Sequence, residues 1–351
     1  MLRYIIELLL VLVTILVAGC GELNCDPSLP GATCPEAETD TDSDTDADTD
    51  TETPAECWAS VPFQIRDLQV DRKIARTVET DWDGGLDWVD IDPVFVLDGS
   101  KDSSPVTVTA PDGRRTREVY LPDSFAMRDT SDDLYNNGIV TALQPDGTVV
   151  EISYFDGSSG WVLPDSAPFS ACEKGYDSTR WVGAHGGSHT TATQAVRVGE
   201  LTQTGPIGRP LPIEVDHTHL SCGDGASSGY DCFTGPLAGS GDSYALSEYT
   251  GTIPELTMGS ILVLPEGFKC SSLTTLPGKR LCEVARDHFF FVVDDSYGEG
   301  EVAFPVADGV REEVVKAEGI DLHNAGGNYA GDVETIMGSI LVVANPTVAV
   351  K

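Results

Sequence analysis

Met258-Gly-Ser-Ile-Leu-Val-Leu264 returns near the C-terminus as Met337-Gly-Ser-Ile-Leu-Val-Val343. Each copy ends in a continuous apolar run, which suits a central strand buried on both faces rather than one with a wet side. The match is too short to separate a duplicated domain from two similar strands in one core. Outward from this pair, further strand-like runs occupy 94–97, 106–110, 117–121, 139–143, 148–155, 195–201, 211–215 and 289–293, with the echo itself giving 260–264 and 339–343. Pro111-Asp112-Gly113 and Pro145-Asp146-Gly147 separate pairs of these runs and carry hairpin turn chemistry. Pro277 opens one helix with its body at 279–287, and a second at 310–318 is stopped by Gly319. Mostly antiparallel strands with one or two short helices predict a mostly β protein, an antiparallel β-sandwich of jelly-roll type. A propeller is the next architecture, and no blade-length period supports it.

This reading applies to residues 58–351, a stretch long enough for a real core and near the upper limit for a single one. The preceding segment has a different composition. Residues 36–56 alternate Asp or Glu with Thr, Ser or Ala and hold no Lys or Arg, so they cannot bury apolar surface and repel one another. Residues 20–57 therefore read as an extended, disordered tether. The whole chain carries a formal charge of -36, which argues against nucleic acid and anionic polymers as general partners unless a local basic patch overrides it.

Residues 1–19 read as a signal segment. Arg3 supplies the positive start, 8–17 the apolar run, and Val17-Ala18-Gly19-Cys20 closes it. The run is shorter than the roughly 20 residues a spanning helix needs, and Glu7 interrupts its start. These first residues resemble bacterial lipoprotein precursors. The resemblance implies cleavage before Cys20 and acylation of its thiol and amine, and so a membrane partner reached through lipid. Gly21 stands where an aspartate would, by the same resemblance, favour inner-membrane retention. The expected address is the outer membrane or cell surface.

Removing Cys20 from the nine cysteines leaves an even set, Cys25, Cys34, Cys57, Cys172, Cys222, Cys232, Cys270 and Cys282, as an oxidising compartment would favour. Short separations suggest Cys25 with Cys34, Cys222 with Cys232 and Cys270 with Cys282, which leaves Cys57 for Cys172. No C-x-x-C spacing supports a zinc site on these thiols.

The densest polar constellation is Ala184-His185-Gly186-Gly187-Ser188-His189 followed by Val196-Arg197-Val198-Gly199-Glu200-Leu201. Together with 258–265 and Val292-Val293-Asp294-Asp295, this order resembles a family of uncharacterised secreted bacterial proteins over roughly residues 139–300. In that family a His-Ala-Leu follows the Glu-Leu segment, where this chain has Pro210-Leu211-Pro212. If that histidine is catalytic in relatives, the departure implies lost activity.

Read from the residues alone, Arg197 could clamp a sugar carboxylate through its forked guanidinium, with His185 as base on the adjacent carbon and Glu200 or Tyr154 as partner. The structural alternative is a glycine turn at 186–187, a backbone-capping His185 and an Arg197–Glu200 ion pair. In Ile213-Glu-Val-Asp-His217-Thr-His219, strand alternation would set His217 and His219 on one face, and His185 and His189 could complete a zinc or copper site. Asp81, Asp83 and Asp87, with Gly84, Gly85, Asp90 and Asp92, make a glycine-bent acidic segment that could take calcium, though without the register of an EF-hand loop. Trp82, Trp88, Trp161, Trp181 and several tyrosines fall at predicted loops or strand ends, where they could stack on sugar rings.

Walker loops and redox cysteine pairs are missing from the sequence. Two functions follow: a surface-tethered domain that binds or cleaves polysaccharide, as a lyase or glycoside hydrolase, with uronate-containing polymers in view; or a non-catalytic adhesion module. Oligomeric state is open.

Overall fold

A computed structural model describes residues 68–70, 76–80, 86, 88–127, 137–163, 169–170, 183, 185–187, 195–223, 225–234, 237–296, 300–323, 325–344 and 348–350. The chain divides into units 1–51 and 52–351, and the described residues all belong to the second. The lipobox with Cys20, the tether, Cys25, Cys34, Cys57, Cys172, His189, Asp81, Asp83 and Asp87 lie outside the described residues. Among those described, no helix is long and apolar enough to cross a membrane.

The chain is mostly strand. Its elements are β1 (Leu68–Val70), β2 (Arg76–Glu79), β3 (Trp88–Asp98), β4 (Ser103–Thr109), β5 (Thr116–Pro122), β6 (Ile139–Leu143), β7 (Thr148–Ser153), β8 (Trp161–Leu163), β9 (Phe169–Ser170), β10 (Leu211–Val215), β11 (Ile261–Val263), then helix α1 (Leu276–Asp287), β12 (Phe290–Asp294), β13 (Glu301–Ala307), α2 (Val310–Glu318), α3 (Gly327–Met337), β14 (Leu341–Ala344) and β15 (Val348–Val350). Eleven strands form one sheet in the order β2-β14-β11-β12-β10-β13-β3-β6-β7-β8, with β9 also on β7; β4–β5 and β1–β15 form separate pairs.

The mostly β class expected from the sequence is therefore observed, but the large sheet is mixed rather than antiparallel throughout. β10 runs parallel to β12, β13 to β3, and β3 to β6. Strand pairing in one continuous mixed order is not that of a jelly roll. Parallel neighbours need long crossovers, and residues 99–138 between β3 and β6, which include the β4–β5 hairpin, supply one. The echoed sequences become neighbouring antiparallel strands, with Leu262 opposite Val342.

Three further differences have local causes. The 195–201 run alternates in apolarity yet turns: Gly199 sits at φ 94, Glu200 N–H donates to Arg197 O, and only Val196 makes a bridge, to Val306. β13 contains Pro305, which argues against a central strand, yet its carbonyl accepts from Val196 N–H and its ring needs no donor. α3 begins on two glycines that depress helix propensity, and burial of Tyr329, Val333, Ile336 and Met337 holds it instead.

Alternation along the strands sorts the sheet into two faces. Ile91 and Phe95 of β3, Val140 and Ala142 of β6, Ile213 and Val215 of β10, and Val302 and Phe304 of β13 enter the main core with Leu281, Val284, Tyr329 and Val333 of α1 and α3. The residues between them face the other way. These are Asp92, Thr141, Glu151, Glu214, Glu301 and Ala303, and all but Glu301 are buried.

Candidate functional site

Asp92 on β3 and Glu214 on β10 flank β13, opposite Pro305 and Ala303 respectively. Because both intervening residues are short, the two carboxyl groups can meet over β13, where the charge of Asp92 bears on Glu214. Asn137, at the entry to β6, hydrogen-bonds Asp92.

His185 completes the group from the turn at 185–187. Gly187 N–H donates to Val293 O, and Ser240 Oγ donates to Gly186 O, so the turn is fastened to β12 and to the 237–245 loop. A Cβ at Gly186 would collide with Asp294 Oδ1 and with Asp242, which explains the glycine. The His185 ring places Nδ1 2.9 Å from Asp294 Oδ2 and 3.6 Å from Glu214 Oε1. It is thus a carboxylate-bound imidazole rather than the backbone cap considered from sequence.

Burial pushes Asp92 up to about 6 against the lowering charge of His185, and Asp294 adds to the rise. Burial also drives Glu214 well above the usual carboxylate range, with Asp92 and Asp294 adding repulsion. For His185, burial works against the charged form, but the Asp294 hydrogen bond and the charges of Asp294, Asp92 and Glu151 outweigh it and raise the imidazole.

A second cluster adjoins the first through Asp294-Asp295. Asp295 Oδ1 accepts from His217 N–H at 2.6 Å and lies 2.9 Å from His217 Nδ1, while Tyr244 Oη donates to Oδ2 at 2.6 Å. The Tyr244 ring stacks on His217 at 3.9 Å, and Tyr249 meets both edge-on. Burial is the main cause raising Asp295 and Asp242 to about 6 each. Asp216 beside them accepts from Thr218 N–H and Gly300 N–H.

The expected metal face does not form as proposed. β10 ends at Val215, and 216–220 turn, with His219 N–H donating to Asp216 O, so strand alternation no longer applies to His217 and His219. His219 lines a separate pocket of about 170 Å³ with Thr218 and Thr250.

The expected catalytic residues have different partners: His185 holds Asp294, Glu200 holds Arg209 and the Arg197 backbone, and the Tyr154 side chain is exposed. Glu200 accepts from Arg197 N–H at 2.8 Å and pairs with Arg209 at 2.6 Å, so its ion pair is with Arg209. Arg209 precedes β10 by two residues and Glu214 follows it by five, about 16 Å away along an extended chain. Tyr154 is exposed at the end of β7, but its N–H donates to Asn137 O, which puts it beside the Asp92 partner.

One feature of the surface escaped the sequence reading. Arg114, Arg115 and Arg117 line a groove of about 390 Å³ with Val108 and Trp161, and the Arg115 guanidinium lies 5.5 Å over the Trp161 ring. Trp161 stands opposite Ser153, at the same end of β7 as Tyr154. The signal was three arginines within four residues of a chain with 57 acidic side chains and only 21 Lys and Arg.

The two disulfides among the described residues, Cys222–Cys232 and Cys270–Cys282, are those expected from short spacing. Compared with protein-family models, with curated proteins and with solved structures, the chain matches none.

Proposed function

We propose that this is a lipid-anchored protein of the outer membrane or cell surface whose β domain binds and acts on extracellular polysaccharide, with uronate-containing polymers as the preferred class. The observation that carries this reading is the groove of Arg114, Arg115, Arg117 and Trp161, a local reversal of sign in a chain of net charge -36. Guanidinium groups match carboxylates in geometry, and an indole offers an apolar face to a sugar ring. The lipobox motif and acidic tether support an anchored domain that meets polymers too large to enter a cell.

Binding is tested by calorimetry on polygalacturonate, alginate and hyaluronan, with dextran as the neutral control. Arg115→Ala and Trp161→Ala should each lower affinity for the acidic polymer about tenfold, or about 1.4 kcal/mol, and salt should weaken binding. Equal binding by wild type and both variants would overturn the reading. Cys20→Ser should release the protein from membranes and block labelling by a palmitate analogue.

The second reading is a non-catalytic adhesion module, favoured by the near-complete burial of His185, which is 3 % exposed. Cleavage instead draws on Asp242 and Asp294, partly open carboxyls packed at Gly186, of which Asp294 holds the His185 ring. Reducing-end and unsaturated-uronate assays on the bound polymer separate the two: released ends support cleavage, and binding without release supports the module.

A further inference from the structure

We propose that Asp92, His185 and Glu214 bind one divalent transition-metal ion, of the zinc or manganese class. One donor atom from each residue lies within 4.8 Å of the other two. The residues come from β3, β10 and the 185–187 turn, so the cluster is made by the fold and not by one acidic run. They are 5 %, 3 % and 3 % exposed.

A second observation points to a ligand. Asp92 Oδ2, His185 Nε2 and Glu214 Oε1 are all buried without a hydrogen-bond partner. Buried polar atoms are rarely left this way, and three orphans on the three members of a single cluster call for a common partner. Among the described residues no Lys or Arg pairs with Asp92, Glu214 or Asp294, so His185 is the one basic group facing several carboxyls. A cation held among these donors would neutralise that excess.

His185 is arranged for the task. Its Nδ1 is held by Asp294 at 2.9 Å, and an imidazole that donates from Nδ1 to a carboxylate presents Nε2 as a lone pair. This carboxylate–histidine pairing is the usual support of a metal-bound imidazole. One nitrogen and two carboxylates favour zinc or manganese over calcium, which takes six to eight oxygen ligands.

The neighbouring group of Asp216, His217 and Asp295 makes an internal contrast. There both Asp216 oxygens accept backbone N–H groups, and Asp295 is filled by His217 and Tyr244, so protein donors already serve the atoms a metal would need.

The inference does not rest on the polysaccharide reading, and its test reads metal directly. The full protein is stripped with chelator and titrated with zinc chloride and with manganese chloride by calorimetry, with bound metal counted by mass spectrometry. Wild type should show one site above the shared background of its acidic segments. His185→Ala and Glu214→Gln should each weaken that site about tenfold or more, Asp294→Asn should weaken it by a similar factor, and His219→Ala should leave it unchanged. Cobalt(II) on wild type gives a measurement free of folding defects: a visible absorption band displaced by one equivalent of zinc is expected. If wild type shows no site above background and no cobalt band, or if His185→Ala and Glu214→Gln bind as wild type does, the proposal is wrong. Acidic-polymer binding by the stripped protein reports on the arginine groove separately.

Discussion

Two buried polar clusters lie at opposite ends of β10 and differ in how their charge is balanced. At the entry, Arg209 pairs with Glu200 at 2.6 Å and also donates to the Ala195 and Pro210 carbonyls, so one positive and one negative group satisfy each other and the backbone. At the exit, Glu214 meets Asp92 and His185 with carboxyls in excess and three orphaned atoms. The first arrangement is what a fold uses to hold a loop. The second weakens the fold unless something else binds, as the proposed metal ion would. Sequence proximity had assigned Glu200 to the site, and the ion pair with Arg209 moves it to the scaffold.

The largest expected effect tests the entry cluster. Arg209→Ala leaves Glu200 and two carbonyls without their partner, and removing one member of a buried pair typically costs about 3–5 kcal/mol. Urea denaturation should show a loss of that size at pH 7. A loss under about 1 kcal/mol would break the comparison by making this pair a surface ornament.

At the exit the sign should differ. In chelator-treated protein Glu214→Gln removes an acid from a crowded, cation-poor pocket, so stability should hold within about 1 kcal/mol or rise. Zinc added to wild type should then restore the order, stabilising wild type and not the variant. Destabilisation of the metal-free variant as severe as that of Arg209→Ala would equate the clusters and remove the distinction.

The parts of this architecture legible in the sequence are those fixed by short-range chemistry. β6 and β10 fall on the residues expected, α2 ends at Gly319 with φ 69, and the two close cysteine pairs are bridged. Parallel pairing is set by crossovers and left no periodic mark. β13 was concealed by Pro305, whose missing donor costs nothing where Val196 takes the carbonyl.

For the site, His185 was visible as an imidazole beside two glycines, and Asp92 as part of an acidic run. Their association with Glu214 was not, because it depends on Ala303 and Pro305 being small on a strand between them. Glu214 nevertheless carried a local sign: a carboxylate flanked by Ile213 and Val215 in an apolar strand must face away from the core they enter. The arginine groove was hidden by the chain's total charge, which says nothing about local patches.

A smaller test extends the contrast along β13. Burial raises Glu301 to about 7, with Asp90 adding repulsion and a Trp88 hydrogen bond opposing it. A carboxyl raised in the folded state contributes stability that is complete below its unfolded value near 4.5 and lost as pH climbs through 7. Glu301→Gln should therefore melt like wild type at pH 4 and exceed it at pH 8, by about 1 kcal/mol once solvent screening of this half-buried group is allowed for. Parallel melting curves at all pH values would show that Glu301 titrates normally.

Asp156 supplies the opposite sign and the smallest effect. It sits in the β7–β8 turn that leads to Trp161, and its carboxylate accepts from Ser158 and Ser159, from both backbone N–H groups and both hydroxyls. Those donors, the Ser159 N–H first, hold it down to about 2. A carboxyl lowered in the folded state stabilises above its unfolded value near 3.8, and the benefit disappears as pH falls through 2. Asp156→Ala should therefore lower the melting midpoint slightly at pH 7, by about 1–2 °C, and match wild type near pH 2. Glu301 is penalised by charge because burial brings it acids as neighbours, whereas Asp156 is favoured by charge because an exposed turn brings it donors. A double variant should show both slopes at once, since the two positions share no partner and their effects should add. If Asp156→Ala also weakens acidic-polymer binding while Glu301→Gln does not, the turn is a support of the arginine groove, and the two ends of the sheet's polar side are functionally separate.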